Sequence, residues 1–319
     1  MYTCRAGFEP HLYEELAWAK AEPKLLGAGW VEGAKTEPPP AFARMAFEVL
    51  GVFTEAAHAL SLFDGEEPLH LQAWTADTDP GNRLSQRSQA LHDALHAELN
   101  RRGLALPDAW TAQRDGRDLW QLCPLDDSRF VVGKVNSRDA ISLSPGGRHR
   151  MPRGDGPSRA AMKLEEALSQ LSLQPGKGEL CVDLGAAPGG WTQRLIQRGA
   201  RVHAIDPGDL SPDLMGHPKV KHFKASAFAF EPSEPADWLF CDMAWRPLEV
   251  AQLLGKWARR GWASMLVANL KLPMKDKLPM IAQCKAILLD AGWKNLKVRQ
   301  LYHDRDEVTV TAQKLPSTR

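Results

Sequence analysis

Cys181-Val182-Asp183-Leu184-Gly185-Ala186-Ala187-Pro188-Gly189-Gly190-Trp191-Thr192 joins an apolar run to a Gly-rich turn and then to a helical pattern. Residues 179–184 read as a buried strand and 192–198 as the helix that follows it. Glycines in such a turn let a ligand approach the backbone closely. The spacing is not the GxGxxG of a dinucleotide site: one glycine, then Ala-Ala-Pro, then Gly-Gly, with Asp183 at the strand end. Asp206 closes the next apolar run, where an acidic side chain takes the ribose hydroxyls of an adenosine-type ligand. A tight turn with no ligand and a dinucleotide site are the other two readings of this segment.

Working outward, strand patterns fall at 179–184, 201–206, 220–225, 237–242, 265–272, 295–303 and 308–314. Helical patterns fall between them at 192–198, 246–260 and 279–291. A further helix is expected from Ser158, as N-cap, to about 171, with Leu164, Ala167, Leu168 and Leu171 on one face. This alternation predicts an α/β domain: a doubly wound, mostly parallel seven-stranded sheet. The last two strands are close in sequence and predict one antiparallel member.

The N-terminal half has a different character. A helix near 10–21, a stiff Glu37-Pro38-Pro39-Pro40 segment and a strand at 47–53 come first. A second module begins near Pro68, with a strand at 69–74 and a turn at 77–81 in which Asp79 is the expected helix cap. Leu84, Leu91, Leu95 and Leu99 then mark a helix that stops at Gly103, and strands are expected at 118–123 and 129–135. Residues 144–157 are rich in Gly and Pro and carry Arg148, His149, Arg150 and Arg153. They read as a domain boundary, either a solvated linker or a flexible basic strap that touches phosphates.

The bulk numbers exclude some classes. The 319 residues are 44% apolar and 25% charged, ordinary for a globular protein of more than one domain. No stretch approaches the roughly 20 uncharged apolar residues of a membrane span. Glu9, Glu14 and Glu15 come early and no apolar h-region is present, so the chain reads as cytoplasmic, without a membrane partner. Cys4, Cys123, Cys181, Cys241 and Cys284 lack CxxC spacing and read as buried thiols, not a metal site. Residues 1–150 hold 16 Lys+Arg against 21 Asp+Glu, and residues 151–319 hold 24 against 18. The balance of about −5 and about +6 makes the C-terminal half the better surface for nucleic acid.

The segment DLGAAPGGWT resembles the signature of the FtsJ-type ribose 2′-O-methyltransferases. Four further stretches are similar to the ribosomal RNA large subunit methyltransferase M family: 158–167 (SRAAMKLEEA), Cys241-Asp242-Met243, 269–275 (NLKLPMK) and 300–310 (QLYHDRDEVTV). In the N-terminal half the matching pieces are 4–9 (CRAGFE), Phe42-Ala43-Arg44 and Ala76-Asp77-Thr78, and the chain is shortened between Leu16 and Phe42. The resemblance implies a Rossmann-like S-adenosylmethionine-dependent methyltransferase domain at 158–319. It implies a ferredoxin-like subdomain at 1–66 and a THUMP-like RNA-docking domain at 67–143, with 144–157 as linker. The implied reaction is 2′-O-methylation of a cytidine in the peptidyl-transferase region of 23S rRNA, before or during large-subunit assembly. The implied product is S-adenosylhomocysteine, and no metal is called for. The same chemistry on another RNA, and a noncatalytic protein binding S-adenosylmethionine or RNA, are the alternatives.

The FtsJ group uses a Lys-Asp-Lys-Glu tetrad, which falls here on Lys163, Asp242, Lys271 and Glu307. The chemistry fits these residue types. A ribose hydroxyl is a poor nucleophile until a base within hydrogen-bond reach removes its proton. Lysine is mostly protonated at neutral pH, and a second cation or burial favours the neutral amine. Lys163 and Lys271 are expected to repel one another in this way, with Asp242 and Glu307 orienting them at the cost of pushing their pKa values back up, and with Lys271 as base. Lys271 lies in an apolar run, where an unpaired charge is costly. The resemblance places cofactor contacts at Ser158, Gly185, Ala187, Pro188, Gly189, Gly190, Trp191, Asp206 and Asp242. Where the family carries an acidic residue for the adenine amino group, this chain has Ser226, so altered adenine recognition is expected. Trp238, Trp257 and Trp262 read as core. Trp191 and Trp245 lie near the sheet's carboxyl edge, and Lys275 and Lys277 read as solvent-facing or as phosphate ligands.

Overall fold

The computed structural model describes residues 1–107, 113–149 and 159–314. The strands are β1 (Tyr2–Thr3), β2 (Lys24–Gly27), β3 (Trp30–Glu32), β4 (Met45–Ala46), β5 (Glu48–Phe53), β6 (His70–Ala73), β7 (Asp118–Pro124), β8 (Phe130–Asn136), β9 (Leu180–Leu184), β10 (Arg201–Ile205), β11 (Val220–Phe223), β12 (Ala236–Cys241), β13 (Ala263–Lys271), β14 (Lys294–Arg299) and β15 (Glu307–Gln313). The helices are α1 (Glu9–Trp18), α2 (Ala56–Ala59), α3 (Asp79–Arg83), α4 (Ser85–Arg101), α5 (Arg159–Ser169), α6 (Gly190–Gln197), α7 (Pro247–Arg260) and α8 (Lys277–Asp290). The chain divides into two compact units, Met1–Arg150 and Met151–Arg319. Ser158 and residues 150–157 of the expected linker lie outside the described residues.

The second unit is a seven-stranded sheet in the order β11-β10-β9-β12-β13-β15-β14. All neighbours run parallel except β15, which is antiparallel to both β13 and β14. The expected mostly parallel sheet with one reversed strand is therefore present. Strand β9 reads Leu-Cys-Val-Asp-Leu and is buried throughout, as a strand covered on both faces must be. Cys181, Trp238, Phe240 and Val267 from the sheet form one core with Leu164, Ala167 and Leu168 of α5 and Trp191 and Leu195 of α6. Helix α7 starts with Pro247, carries Glu249 in its first turn and ends on Arg259 and Arg260, an order that suits the helix dipole. Chain order reverses between β9 and β12. In open α/β sheets the crevice beyond the carboxyl ends of such a strand pair is where ligands bind.

The first unit holds two four-stranded sheets, β2-β3-β1-β4 and β5-β8-β7-β6. Helix α4 makes the crossover between parallel β6 and β7 and buries Leu91, Leu95 and Leu99 against Phe63 and Trp120. The expected division at 66/67 does not coincide with a sheet boundary. Strand β5 pairs with β8, so the first segment completes the second sheet. Thr78, not Asp79, caps α3: its side chain accepts from the Gly81 amide at 3.0 Å, and Asp79 is already helical. The described part of the basic segment is not a solvated linker. Arg148 is buried and donates to the Thr75 carbonyl (2.8 Å) and to Asn82 (3.2 Å).

Candidate active site

The turn after β9 is built for close approach. Gly185 has φ +78°, and a Cβ there would lie 2.7 Å from Met243 Cγ and 3.2 Å from Met243 Cα. Gly189 has φ +113° and faces Leu214, whose Cδ1 would be 2.1 Å from an added Cβ. Both positions demand glycine on backbone and steric grounds. A Gly185→Ala variant must displace the Met243 side chain and press on its backbone, next to Asp242. Overpacking of this kind is expected to destabilise the fold by about 1–3 kcal/mol and to weaken S-adenosylmethionine binding. Thermal melting and calorimetric titration check this, and an unchanged melting temperature with unchanged affinity would count against the cradle.

Asp206 ties this turn to the loop after β10. One carboxylate oxygen accepts from the Ala187 amide at 3.1 Å and the other from the Gly208 amide at 2.7 Å. Asp183, at the end of β9, is fully buried and accepts from the Thr192 hydroxyl at 2.7 Å. Burial, with the carboxylates of Asp242 and Asp206 adding, pushes its carboxyl up to about 7. Asp206 and Asp242 give the turn an acidic character that suits the sulfonium and ammonium groups of S-adenosylmethionine. The glycine cradle suits a ligand lying against backbone.

At the carboxyl ends of β12 and β13 the four expected side chains meet. Lys271 Nζ donates to Asp242 Oδ1 at 2.5 Å and to Glu307 Oε2 at 2.6 Å. Lys163, reaching from α5, forms an ion pair with the other Glu307 oxygen. Register explains the meeting: Lys271 and Glu307 are direct cross-strand partners on β13 and β15. Glu307 thus bridges two ammonium groups. Burial works to lower the Lys271 amine, but the carboxylates of Asp242 and Glu307 outweigh it and hold the amine above its ordinary value. The cost expected of orienting the amine with two carboxylates is thus present: they push it back up, against the burial that favours the neutral form. Burial raises the Glu307 carboxyl, yet its bonds to Lys163 and Lys271 hold it below the ordinary glutamate value.

Other expected residues sort differently. Ala187 and Gly190 are half-buried and Pro188 exposed along the turn, open to a ligand. Trp191 is buried and its indole donates to the Ala160 carbonyl at 2.6 Å, so it fastens α6 to α5 and is no wall of the crevice. Ser226 is exposed, and its hydroxyl accepts from the Phe228 amide at 3.3 Å. Trp245 is exposed, donates to Glu249 and lies 5.7 Å from the Phe228 ring. Lys277 is buried, not solvent-facing: it donates to the Pro273 carbonyl at 2.8 Å and to Asp306 at 3.0 Å. Trp238 and Trp257 are core, as expected, and all five cysteines are buried and free.

Sequence reasoning missed Glu166, Asn269, Asp304 and Thr309. Glu166 is buried on α5 and accepts from the Tyr302 amide at 2.8 Å and the His303 amide at 3.2 Å, which docks the helix bearing Lys163 onto the loop leading to Glu307. Asn269 and Thr309 each sit two residues from a tetrad member on a strand, hence on the same face. That period was the available signal.

Residues 157–270 match the FtsJ-like methyltransferase family. Together with the cradle and the tetrad, this defines the class: an S-adenosylmethionine-dependent RNA methyltransferase. The chain is 35% identical over 352 residues to "Ribosomal RNA large subunit methyltransferase M" of Alkalilimnicola ehrlichii, covering 98% of this chain and 93% of that one. It is also 35% identical over 339 residues to the protein of that name from Halorhodospira halophila, covering 98% and 96%. To that of Laribacter hongkongensis it is 46% identical over 247 residues, covering 73% and 67%. The chain belongs to the ribosomal RNA large subunit methyltransferase M family. Among the described residues no helix is long and apolar enough to cross a membrane.

Proposed function

We propose that the chain methylates the 2′-hydroxyl of a cytidine in the peptidyl-transferase region of 23S rRNA, with Lys271 as general base. The observation that carries this reading is the Lys271 amine, held between Asp242 and Glu307 at the edge of the cofactor crevice. Bound S-adenosylmethionine supplies an electrophilic methyl group on a sulfonium. The turn residues Gly185, Ala187, Pro188, Gly189 and Gly190 would hold it from one side, with Asp206, Ser226 and Asp242, and Ser158 from the preceding segment. Lys271, once it has given up its own proton, accepts the hydroxyl proton at Nζ. Asp242 and Glu307 fix where that nitrogen points, and Lys163 fixes Glu307. Alignment of this kind supplies much of a transfer rate.

The unit at 1–150 is read as the RNA-docking part, with a ferredoxin-like and a THUMP-like module that share the first segment through β5. It acts in the cytoplasm on rRNA before or during assembly of the large subunit. Mapping of 2′-O-methylation along 23S rRNA from cells with and without the gene tests the target. One cytidine in the peptidyl-transferase region should lose its mark, and purified protein with labelled cofactor should restore it. An unchanged rRNA map would overturn the target.

A further inference from the structure

Asp242 Oδ1 accepts two hydrogen bonds, one from Lys271 and a second from Asn269 Nδ2 at 3.1 Å. A carboxylate only accepts, so the Asn269 amide must turn its NH2 toward it and its carbonyl oxygen away. That oxygen lies 2.7 Å from the Thr309 hydroxyl, whose single hydrogen therefore goes to it. Asn269 and Thr309 are direct cross-strand partners, two residues back from the Lys271 and Glu307 pair on the same two strands. Both are buried, so neither can exchange this arrangement for water. Thr309 Oγ also lies 3.0 Å from Asp304 Oδ2. The same Asp304 oxygen accepts from the Leu301 amide at 2.9 Å, so the loop before β15 is tied to the Thr309 hydroxyl. Burial holds the Asp304 carboxyl well above the ordinary carboxylate range.

We infer that Asn269 and Thr309 are positioning residues for methyl transfer: Thr309 fixes the Asn269 amide, and Asn269 fixes the Asp242 oxygen that holds Lys271. The inference rests on the reading of Lys271 as base. Asp242 directly follows β12 at its carboxyl end, whereas Asn269 lies within β13. The amide gives the carboxylate a second anchor, so that Lys271 is held at a defined angle between Asp242 and Glu307. An error of about 1 Å in such a group costs roughly 100-fold in rate.

Thr309→Val and Thr309→Ser separate positioning from packing. Valine keeps the shape and loses the hydroxyl, whereas serine keeps the hydroxyl and loses a methyl group. The expected result in single-turnover assays with 23S rRNA is a fall of about tenfold for Thr309→Val, with the serine variant within about twofold of wild type. S-adenosylmethionine affinity should stay within about twofold in both. Asn269→Ala should lower the rate at least as far, and adding Thr309→Val to it should cost nothing more, because both act through one amide. Wild-type rate in Thr309→Val, or a serine variant worse than the valine one, would overturn the inference. So would additive losses in the double variant. Should Asn269→Ala not fold, the valine and serine pair decides alone. Lys271→Met in the same assay keeps the two readings apart. An active Lys271→Met enzyme sinks the base, and an inactive one beside a fully active Thr309→Val sinks only the positioning role.

Discussion

Replacing Lys271 with methionine is expected to lower methyl transfer to 23S rRNA by roughly 100- to 10,000-fold, the usual contribution of a positioned base. Cofactor affinity should remain near wild type, because the glycine cradle and Asp206 are untouched. Methionine fits the half-buried position at the end of β13 and removes only the amine. The wild-type pH profile should carry the same signature. Asp242 and Glu307 hold the Lys271 amine above its ordinary value, so the protonated form prevails at neutral pH. The base is the neutral form, so the rate should climb with pH through the neutral and mildly alkaline range. Single-turnover rates at saturating cofactor measure this. Lys271→Met should flatten the profile, and a profile that keeps climbing in that variant would assign the titration to another group.

The second large effect is expected at Glu307. Its two oxygens are divided between Lys163 and Lys271, and Glu307→Ala leaves two ammonium groups facing one another at a site with little water. Removing one member of a buried ionic cluster costs about 3–5 kcal/mol, and urea unfolding should show a loss toward the lower end of that range. The sign of the pH dependence follows from the direction of the shift. Glu307 is held below the ordinary glutamate value, so its contribution is present above that value and fades as pH falls through its folded-state pKa. Lys271 is shifted upward, and its contribution fades only when pH rises beyond the ordinary lysine range. The stability gap between wild type and Glu307→Ala should therefore be steady around neutrality and close on acidification. A gap that widens in acid would refute the assignment. Methyl transfer by the variant should fall below a hundredth of the wild-type rate, since two tetrad lysines lose their shared anchor.

Most of the catalytic unit was legible in the sequence because its signals are local. The apolar run before Gly185, the Gly-Gly opening of α6 and the Pro-to-Arg order of α7 each specify an element within a few residues. What escaped depends on distant partners. Lys277 sits in a Lys-Asp-Lys cluster that reads as solvated, yet Asp276 takes φ +56° and the chain turns so that Lys277 meets Asp306. Trp191 lies beside the ligand turn in sequence, and only the packing of α6 on α5 shows that its ring points into the core. The roles of Asn269 and Thr309 require the β13–β15 register, which joins residues far apart in the chain. In the N-terminal unit the sequence boundary at 66 and the sheet boundary part company because β5 finds its partner in β8.

The position of β15 has a consequence for when the molecule becomes competent. It is inserted between β13 and β14 and brings Glu307 last in chain order, after Lys163, Asp242 and Lys271 are already carried by earlier elements. A chain with β9 to β13 formed and β15 still out would own a cofactor crevice but no completed proton acceptor. Loss of the β13–β15 pairing would thus remove methyl delivery while leaving the turn after β9 in place. Slow amide exchange along β15 becomes the physical measure of how many molecules in a preparation can turn over at all.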